Sequence, residues 1–469
     1  MKLLHTADHY VTDALGDTEA PPHGTPLRPS LYAVPIDTGK RRVVFHTLTR
    51  ASIDAEELHD WFLHPSARPY DAADGTLQEL YENRFLVEES KDEVQMYVRL
   101  IEVLRLLAPK PKKGHTSYTI LPTTACNARC FYCYEHGVQF RTMDDEMIAK
   151  TVEFILATKR EDRIAINWFG GEPLYGAAAI DKICAALREN GIKYMSEMTT
   201  NASLFNEATV RKAVADWHLA KVQVTLDGRE EEYLRRKRYL PPFPGSPYQA
   251  VLQALQRLQQ NRVQVSVRLN ADLNNLDELH ALVDELAEKF PDKRGISVYV
   301  SDLYLPKQYN SDSPEGRDKI CRLYEGINRL SDHIEEVHFS GGDYPKRLRT
   351  YRCMADLPEG APVISPDGTL GCCEHINETP VLGSILDPAQ WDMRKREEFV
   401  RHDRPQLPKC RACPFLPECV DFSSCPVKEA DCQQKVYGQL RRALKAIDNP
   451  PLPRPTNEEE EDTIQGSCT

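Results

Sequence analysis

Between residues 117 and 305, short runs rich in β-branched and aromatic residues alternate with amphipathic helical stretches, and this alternation leaves few architectures open. The strand candidates are Tyr118–Leu121, Ile164–Phe169, Lys193–Met198, Lys221–Leu226, Val263–Leu269 and Ile296–Val300. Helical periodicity fills Asp144–Ala157, Ala177–Glu189, Glu207–Trp217, Pro247–Gln260 and Leu276–Lys289. Strands joined by helices of this length pair in parallel through crossovers. Six such units predict an α/β fold, a partial (β/α)6 barrel over 117–305, with its chemistry at the carboxyl ends of the strands.

The flanks differ in character. Residues 1–30 are rich in Pro, Gly and Asp and are expected to be loose. Residues 31–108 read as a small mixed domain: β-type runs at Leu31–Val34 and Val43–Thr47, then helical stretches at Asp54–Leu63 and around Leu77–Tyr81. Phe85-Leu86-Val87 and a periodic helix over Asp92–Leu107 follow, an order that resembles a winged helix. Residues 109–116 have the composition of a linker, 306–352 form a bridging region, and 353–448 accumulate Cys, Pro and Gly. The tail 449–469, with the run NEEEED, is expected to be disordered. No apolar stretch reaches the length of a membrane span, and MKLLHTADHYVTDALGD has no signal-peptide core, so no membrane association and a cytoplasmic location are expected. A net charge of −12 argues against a nucleic-acid binder.

Fourteen cysteines in a chain of this kind point to metal ligands or catalytic groups more than to disulfides. Three fall in LPTTACNARCFYCYEHG, directly after the first predicted strand, where Cys126, Cys130 and Cys133 form C-x3-C-x2-C. Three thiolates on one loop can hold three irons of a [4Fe–4S] cube and leave the fourth for an external chelate. Taken alone, the loop also allows a zinc site with His136 as fourth ligand.

Its context resembles the radical SAM superfamily, over the whole of 117–305. Tyr132 stands where that family places an aromatic near the adenine of S-adenosylmethionine. Gly170-Gly171-Glu172-Pro173, after the second strand, is similar to the family's GGEP stretch; a glycine pair allows close backbone approach to a ligand, and Glu172 is then expected to meet the methionyl ammonium. Thr199-Thr200-Asn201 looks like the ribose-contacting segment, with Ala202 where a glycine is usual. Thr225-Leu226-Asp227-Gly228 resembles a Ser-x-Asp-Gly segment near the substrate. Arg268 and Asn270 match an Arg-x-Asn pair that contacts the cofactor carboxylate. Each alone is an ordinary polar strand end; their order along the chain carries the resemblance.

Cys353-x14-Gly368-x4-Cys373, followed by Cys410-x2-Cys413-x5-Cys419-x5-Cys425-x6-Cys432, resembles the SPASM domain of peptide-modifying radical SAM enzymes. One departure is that the penultimate cysteine lies five residues after Cys419, with Ser at 423. The resemblance implies an outer cluster on Cys410, Cys413, Cys419 and Cys432, and an inner one on Cys353, Cys373 and Cys425. The inner site then lacks a fourth ligand, since Cys372 adjoins Cys373 and vicinal cysteines rarely reach one cube. Two zinc ribbons are the other reading of this region.

Taken together, the resemblance implies three [4Fe–4S] clusters, S-adenosylmethionine, and an electron donor such as flavodoxin or ferredoxin. The implied activity is formation of a 5′-deoxyadenosyl radical that takes hydrogen from a ribosomally made precursor peptide. The 31–108 domain would take up a leader peptide by strand addition. A thioether from cysteine sulfur to carbon is the expected product; carbon–carbon or ether crosslinking and formylglycine formation on sulfatases are the alternatives, and a non-catalytic scaffold the reading of another class. The run Arg235-Arg236-Lys237-Arg238, after Glu230-Glu231-Glu232, reads as a solvated helix face, with substrate contact as the minority reading. Cys184, on an amphipathic helix, reads as core.

Overall fold

A computed structural model describes residues 2–16, 18–108, 113–303, 309–339, 344–351, 353–357, 360–387, 391–401, 403–419, 423–426, 431–445 and 447. Cys468, the acidic tail and part of the expected linker lie outside them. Six parallel strands, Ser117–Ile120, Arg163–Trp168, Lys193–Thr200, Leu219–Leu226, Gln264–Ala271 and Ile296–Asp302, are neighbours in chain order within one sheet. Helices cover its outer face. Their start signals are local: Asp144 accepts from Met147 N ahead of Asp145–Thr158, and Ser246 from Gln249 N ahead of Pro247–Gln260, where Pro247 occupies the first turn. Burial alternates along Lys193–Thr200, where Tyr194, Ser196, Met198 and Thr200 are buried and Lys193, Met195 and Glu197 exposed. The core beneath the sheet includes Trp168, Trp217, Val224, Val267 and Leu282.

Three boundaries depart from the sequence expectation. The bridging region contains a long helix, Pro314–Glu336, that packs on the sixth strand and on Leu276–Lys289, completing the sixth β/α unit. Ile320, Leu323, Ile327, Leu330 and Ile334 supply its buried stripe. The C-terminal region is not a separate layer: Val363–Ile364 pairs in parallel with the first barrel strand, and Thr369–Gly371 and Gly383–Ser384 extend the sheet antiparallel, to nine strands. The fourth crossover holds two helices, Glu230–Lys237 and Pro247–Gln260, the first of which sequence reading took only as a charged face.

Residues 1–30 are not loose. Lys2–His5 pairs antiparallel with Ser52–Asp54, the helix His9–Leu15 is capped by Asp8, and Pro26–Pro29 pairs with Leu86–Glu88. Ala33–Asp37 and Arg42–His46 complete a four-stranded sheet, and helices Gly75–Glu82 and Glu93–Leu107 follow. This N-terminal unit shares its cores with distant chain. Val94, Tyr97 and Leu100 pack with Leu348 and Leu416, while Val34, Ile36 and Phe45 pack with Phe415, Leu440 and Leu444. Arg50, 3% exposed, pairs with Glu418 and donates to Pro345 O at 2.9 Å. No helix among the described residues is long and apolar enough to cross a membrane.

Candidate functional site

The loop after the first strand carries Cys126 and Cys130 half-buried and Cys133 exposed. Burial pushes the Cys126 thiol up to about 12, aided by the nearby Glu172 carboxylate, and it raises Cys130 and Cys133 as well. Gly170 and Gly171 explain how the loop is seated. A Cβ at Gly171 would stand 2.5 Å from Thr124 O and 2.6 Å from Ala125 O, and Gly170 approaches Thr123 O in the same way, with φ +118°. Glu172 N then donates to Ala125 O at 2.9 Å. The glycine pair thus lets this turn lie directly against the backbone of the cysteine loop.

Glu172 is fully buried. Its carboxylate accepts from Leu174 N at 3.2 Å in the Pro173–Gly176 turn, from Thr200 Oγ1 at 2.6 Å and from Asn201 N at 2.8 Å. Burial raises its carboxyl, and these three donors pull it back. Asn201 donates onward to Asn127 Oδ1 at 2.8 Å, so the GGEP turn, the third strand end and the cysteine loop form one network. Ala202 holds φ +62°, the left-handed conformation that favours glycine, which is why glycine suits this position. At the fifth strand end Arg268 donates to Asn270 Oδ1 at 3.0 Å and to Ser301 at 3.1 Å. Asn275 ties this end to the fourth, donating to both Asp227 O and Asn270 O at 2.9 Å. The cysteine loop, the Gly170–Pro173 turn, Thr200, Asn201, Asp227, Arg268 and Asn270 therefore lie at or just beyond the carboxyl ends of the strands.

The basic run is the clearest correction. Only Arg235 and Arg238 are exposed; Arg236 and Lys237 are 1% and 4% exposed. Arg236 donates twice to Asp272 at 3.0 Å and also pairs with Glu232. Lys237 donates to Tyr132 Oη at 2.9 Å and lies 3.4 Å from Asp227 Oδ2, to which the Tyr132 hydroxyl also donates. Asp227 Oδ1 is buried without a hydrogen-bond partner. The signal was present in the spacing: residues three and four after the apolar Tyr233 share its face of the helix.

Among the C-terminal cysteines, Cys413 and Cys372 are buried, Cys373, Cys410, Cys419 and Cys425 half-buried, and Cys353 and Cys432 exposed. Cys372 packs with Ala355, Leu382 and Phe399, and burial pushes its thiol up to about 11. Cys353 lies close enough to Cys372 and Cys373 to oppose ionisation of both. The Tyr134 ring, next after Cys133, stacks on His375, with centroids 3.9 Å apart, joining the barrel loop to the Cys373 segment. Among the described residues, no three His, Cys, Asp or Glu groups converge as the ligands of a single ion would. Three soft thiols spaced round one loop fit a cube, in which each thiolate binds a different iron. They fit a single zinc ion less well.

Residues 120–286 match the Radical SAM superfamily. With the parallel sheet, this match gives an α/β fold with a radical SAM domain over those residues. Among solved structures, native anSMEcpe with bound AdoMet is similar at a TM-score of 0.51 and 16% identity, over 71% of this chain and 99% of that one. The same protein with bound AdoMet and Cp18Cys peptide gives 0.50, with the same identity and coverage. Streptococcus suis SuiB bound to precursor peptide SuiA gives 0.47 at 13% identity, over 83% of this chain and 94% of that one. No curated protein sequence matches.

Proposed function

We propose that the protein is a radical SAM peptide maturase that installs a thioether between a cysteine sulfur and a carbon of a precursor peptide. The observation that carries this reading is the Tyr134–His375 stack, which brings a second cysteine site, around Cys353 and Cys373, beside the barrel's cluster loop. Likeness in fold to a radical SAM enzyme crystallised with a peptide supports it.

In this reading Cys126, Cys130 and Cys133 hold the catalytic cluster, which with bound S-adenosylmethionine supplies a carbon-centred radical. The chain's own residues do the rest. The Gly170–Pro173 turn, Thr200, Asn201, Arg268 and Asn270 are tied to one another and to the cysteine loop by hydrogen bonds, and in this reading they orient the cofactor. Tyr132 lines the same end. Cys410, Cys413, Cys419 and Cys432 form the outer auxiliary site, and Cys353, Cys373 and Cys425 the inner one, which leaves room for a substrate thiolate. Cys372 stays outside this set because it adjoins Cys373, and vicinal cysteines rarely reach one cube.

Leader recognition by strand addition falls on Lys2–His5, one outer strand of the N-terminal sheet. The opposite outer strand, Ala33–Asp37, carries Pro35, which has no N–H, and its Asp37 carbonyl already accepts from Arg441.

The test is anaerobic turnover of the iron-reconstituted full chain with S-adenosylmethionine, a low-potential reductant such as reduced flavodoxin, and the peptide encoded beside its gene. The expected product has lost two hydrogens per crosslink and resists alkylation at the linked cysteine. A product that has lost its sulfur supports formylglycine chemistry instead. A cysteine-free peptide that is still modified supports carbon–carbon or ether chemistry. Absence of 5′-deoxyadenosine leaves a scaffold.

A further inference from the structure

Burying an ammonium costs several kcal/mol unless it is well paired, so a lysine 4% exposed against the cysteine loop needs a reason. Lys237 closes the last turn of Glu230–Lys237, and each of its polar groups faces the cysteine loop or the fourth strand end. Its carbonyl accepts from Arg129 N at 2.9 Å. Its Nζ donates to Tyr132, between Cys130 and Cys133, and stands 5.5 Å and 5.9 Å from the ring centroids of Tyr132 and Tyr233. The carboxylate nearest it among the described residues, Asp227, is 3.4 Å away and is shared with the Tyr132 hydroxyl, and the buried Glu172 also feels its charge. Arg236, one residue earlier, is held by two carboxylates, Asp272 and Glu232. Anchoring the helix would need no charge at position 237, because Tyr233 and Arg236 already fix it.

We propose that Lys237 is a positioning residue that sets the reduction potential of the cluster held by Cys126, Cys130 and Cys133, with Asp227 as its counterweight. This rests on the cluster reading above. One-electron reduction adds a negative charge to the cluster, and a fixed cation in a poorly polarisable surround favours the reduced form. The anion of Asp227 opposes it.

The experiment is a redox titration of the reconstituted full chain, followed by electron paramagnetic resonance, on the reduced-cluster signal that changes when S-adenosylmethionine is added. Iron and sulfide are counted in every variant. Lys237→Met should move the midpoint to more negative potential, Asp227→Asn to more positive potential, and Lys237→Arg should restore the parent value. Loosening of the loop cannot produce opposite shifts from two partners of one ion pair. Should Lys237→Met fail to load iron, the Asp227→Asn shift and the Lys237→Arg value decide alone. Shifts of the same sign, or none, at full iron content overturn the proposal. A parent protein with iron but no signal responsive to S-adenosylmethionine overturns the cluster assignment itself.

Discussion

The two cysteine regions of this chain are built in opposite ways. Cys126, Cys130 and Cys133 sit on a loop clamped by Gly170, Gly171, Asn201 and Lys237, above a continuous apolar core. Among the described residues, 353–431 contain two- and three-residue strands and helices of at most seven residues, with Ala355, Leu382 and Phe399 as their own small core. They are held from outside: by the first barrel strand, by the N-terminal unit through Arg50 and Arg105, and by helix Cys432–Lys445, whose Arg441 and Lys445 pair with Asp332. The barrel loop is prepared for its cofactor; the C-terminal region depends on its neighbours and, in our reading, on bound clusters.

Removing iron is the largest test of this contrast. In the metal-free protein, hydrogen exchange should stay slow in the barrel strands and become fast across 353–432; equal protection in both would show that the clusters contribute no order. Replacing Cys126, Cys130 and Cys133 together with Ala should abolish 5′-deoxyadenosine formation and remove about a third of the iron without lowering the barrel's melting temperature.

Arg50→Met comes next. It removes the Arg50 partner of the half-buried Glu418, a loss of about 3 kcal/mol, the low end for a buried pair, seen as a lower denaturation midpoint and earlier proteolysis near 344–351. A variant as stable as the parent would mean the apolar cores alone hold the N-terminal unit. Because those cores are shared, deleting residues 1–108 would expose Leu348, Phe415 and Leu416 and would confuse peptide binding with folding. Deleting only residues 2–5 tests leader binding more cleanly.

Gly171→Ala should cost about 1–3 kcal/mol, since its Cβ meets two backbone carbonyls that cannot move aside cheaply. Iron occupancy at the barrel loop should fall in parallel; unchanged occupancy would separate loop seating from cluster binding. The smallest effect belongs to Cys372→Ala, which removes a buried thiol for about 1 kcal/mol and should leave iron content unchanged. Cys373→Ala should lower it. Equal iron loss from the two would make Cys372 a ligand.

Much of the barrel was legible because its signals are local. The helices Ala177–Glu189, Pro247–Gln260 and Leu276–Lys289 match their sequence periods end to end, and each of the six strands was located within a few residues. C-x3-C-x2-C, the glycine pair and the polar strand ends could likewise be read as positions on strand termini. The tertiary structure alone decided what those positions touch. The Gly170–Gly171 turn lies against the backbone of Thr123, Thr124 and Ala125 because the second strand end packs on the first loop. Glu172 serves three protein donors because burial demands that its carboxylate be satisfied. Lys237 turns inward because Tyr233 commits that helix face to the core, which a count of charges along the chain cannot register. The attachment of Val363–Ile364 to the first strand, and of residues 2–5 to Ser52–Asp54, joins segments far apart in sequence. Strand pairing of that kind is chosen by whichever edge is left open after the core has formed, and no local pattern encodes it.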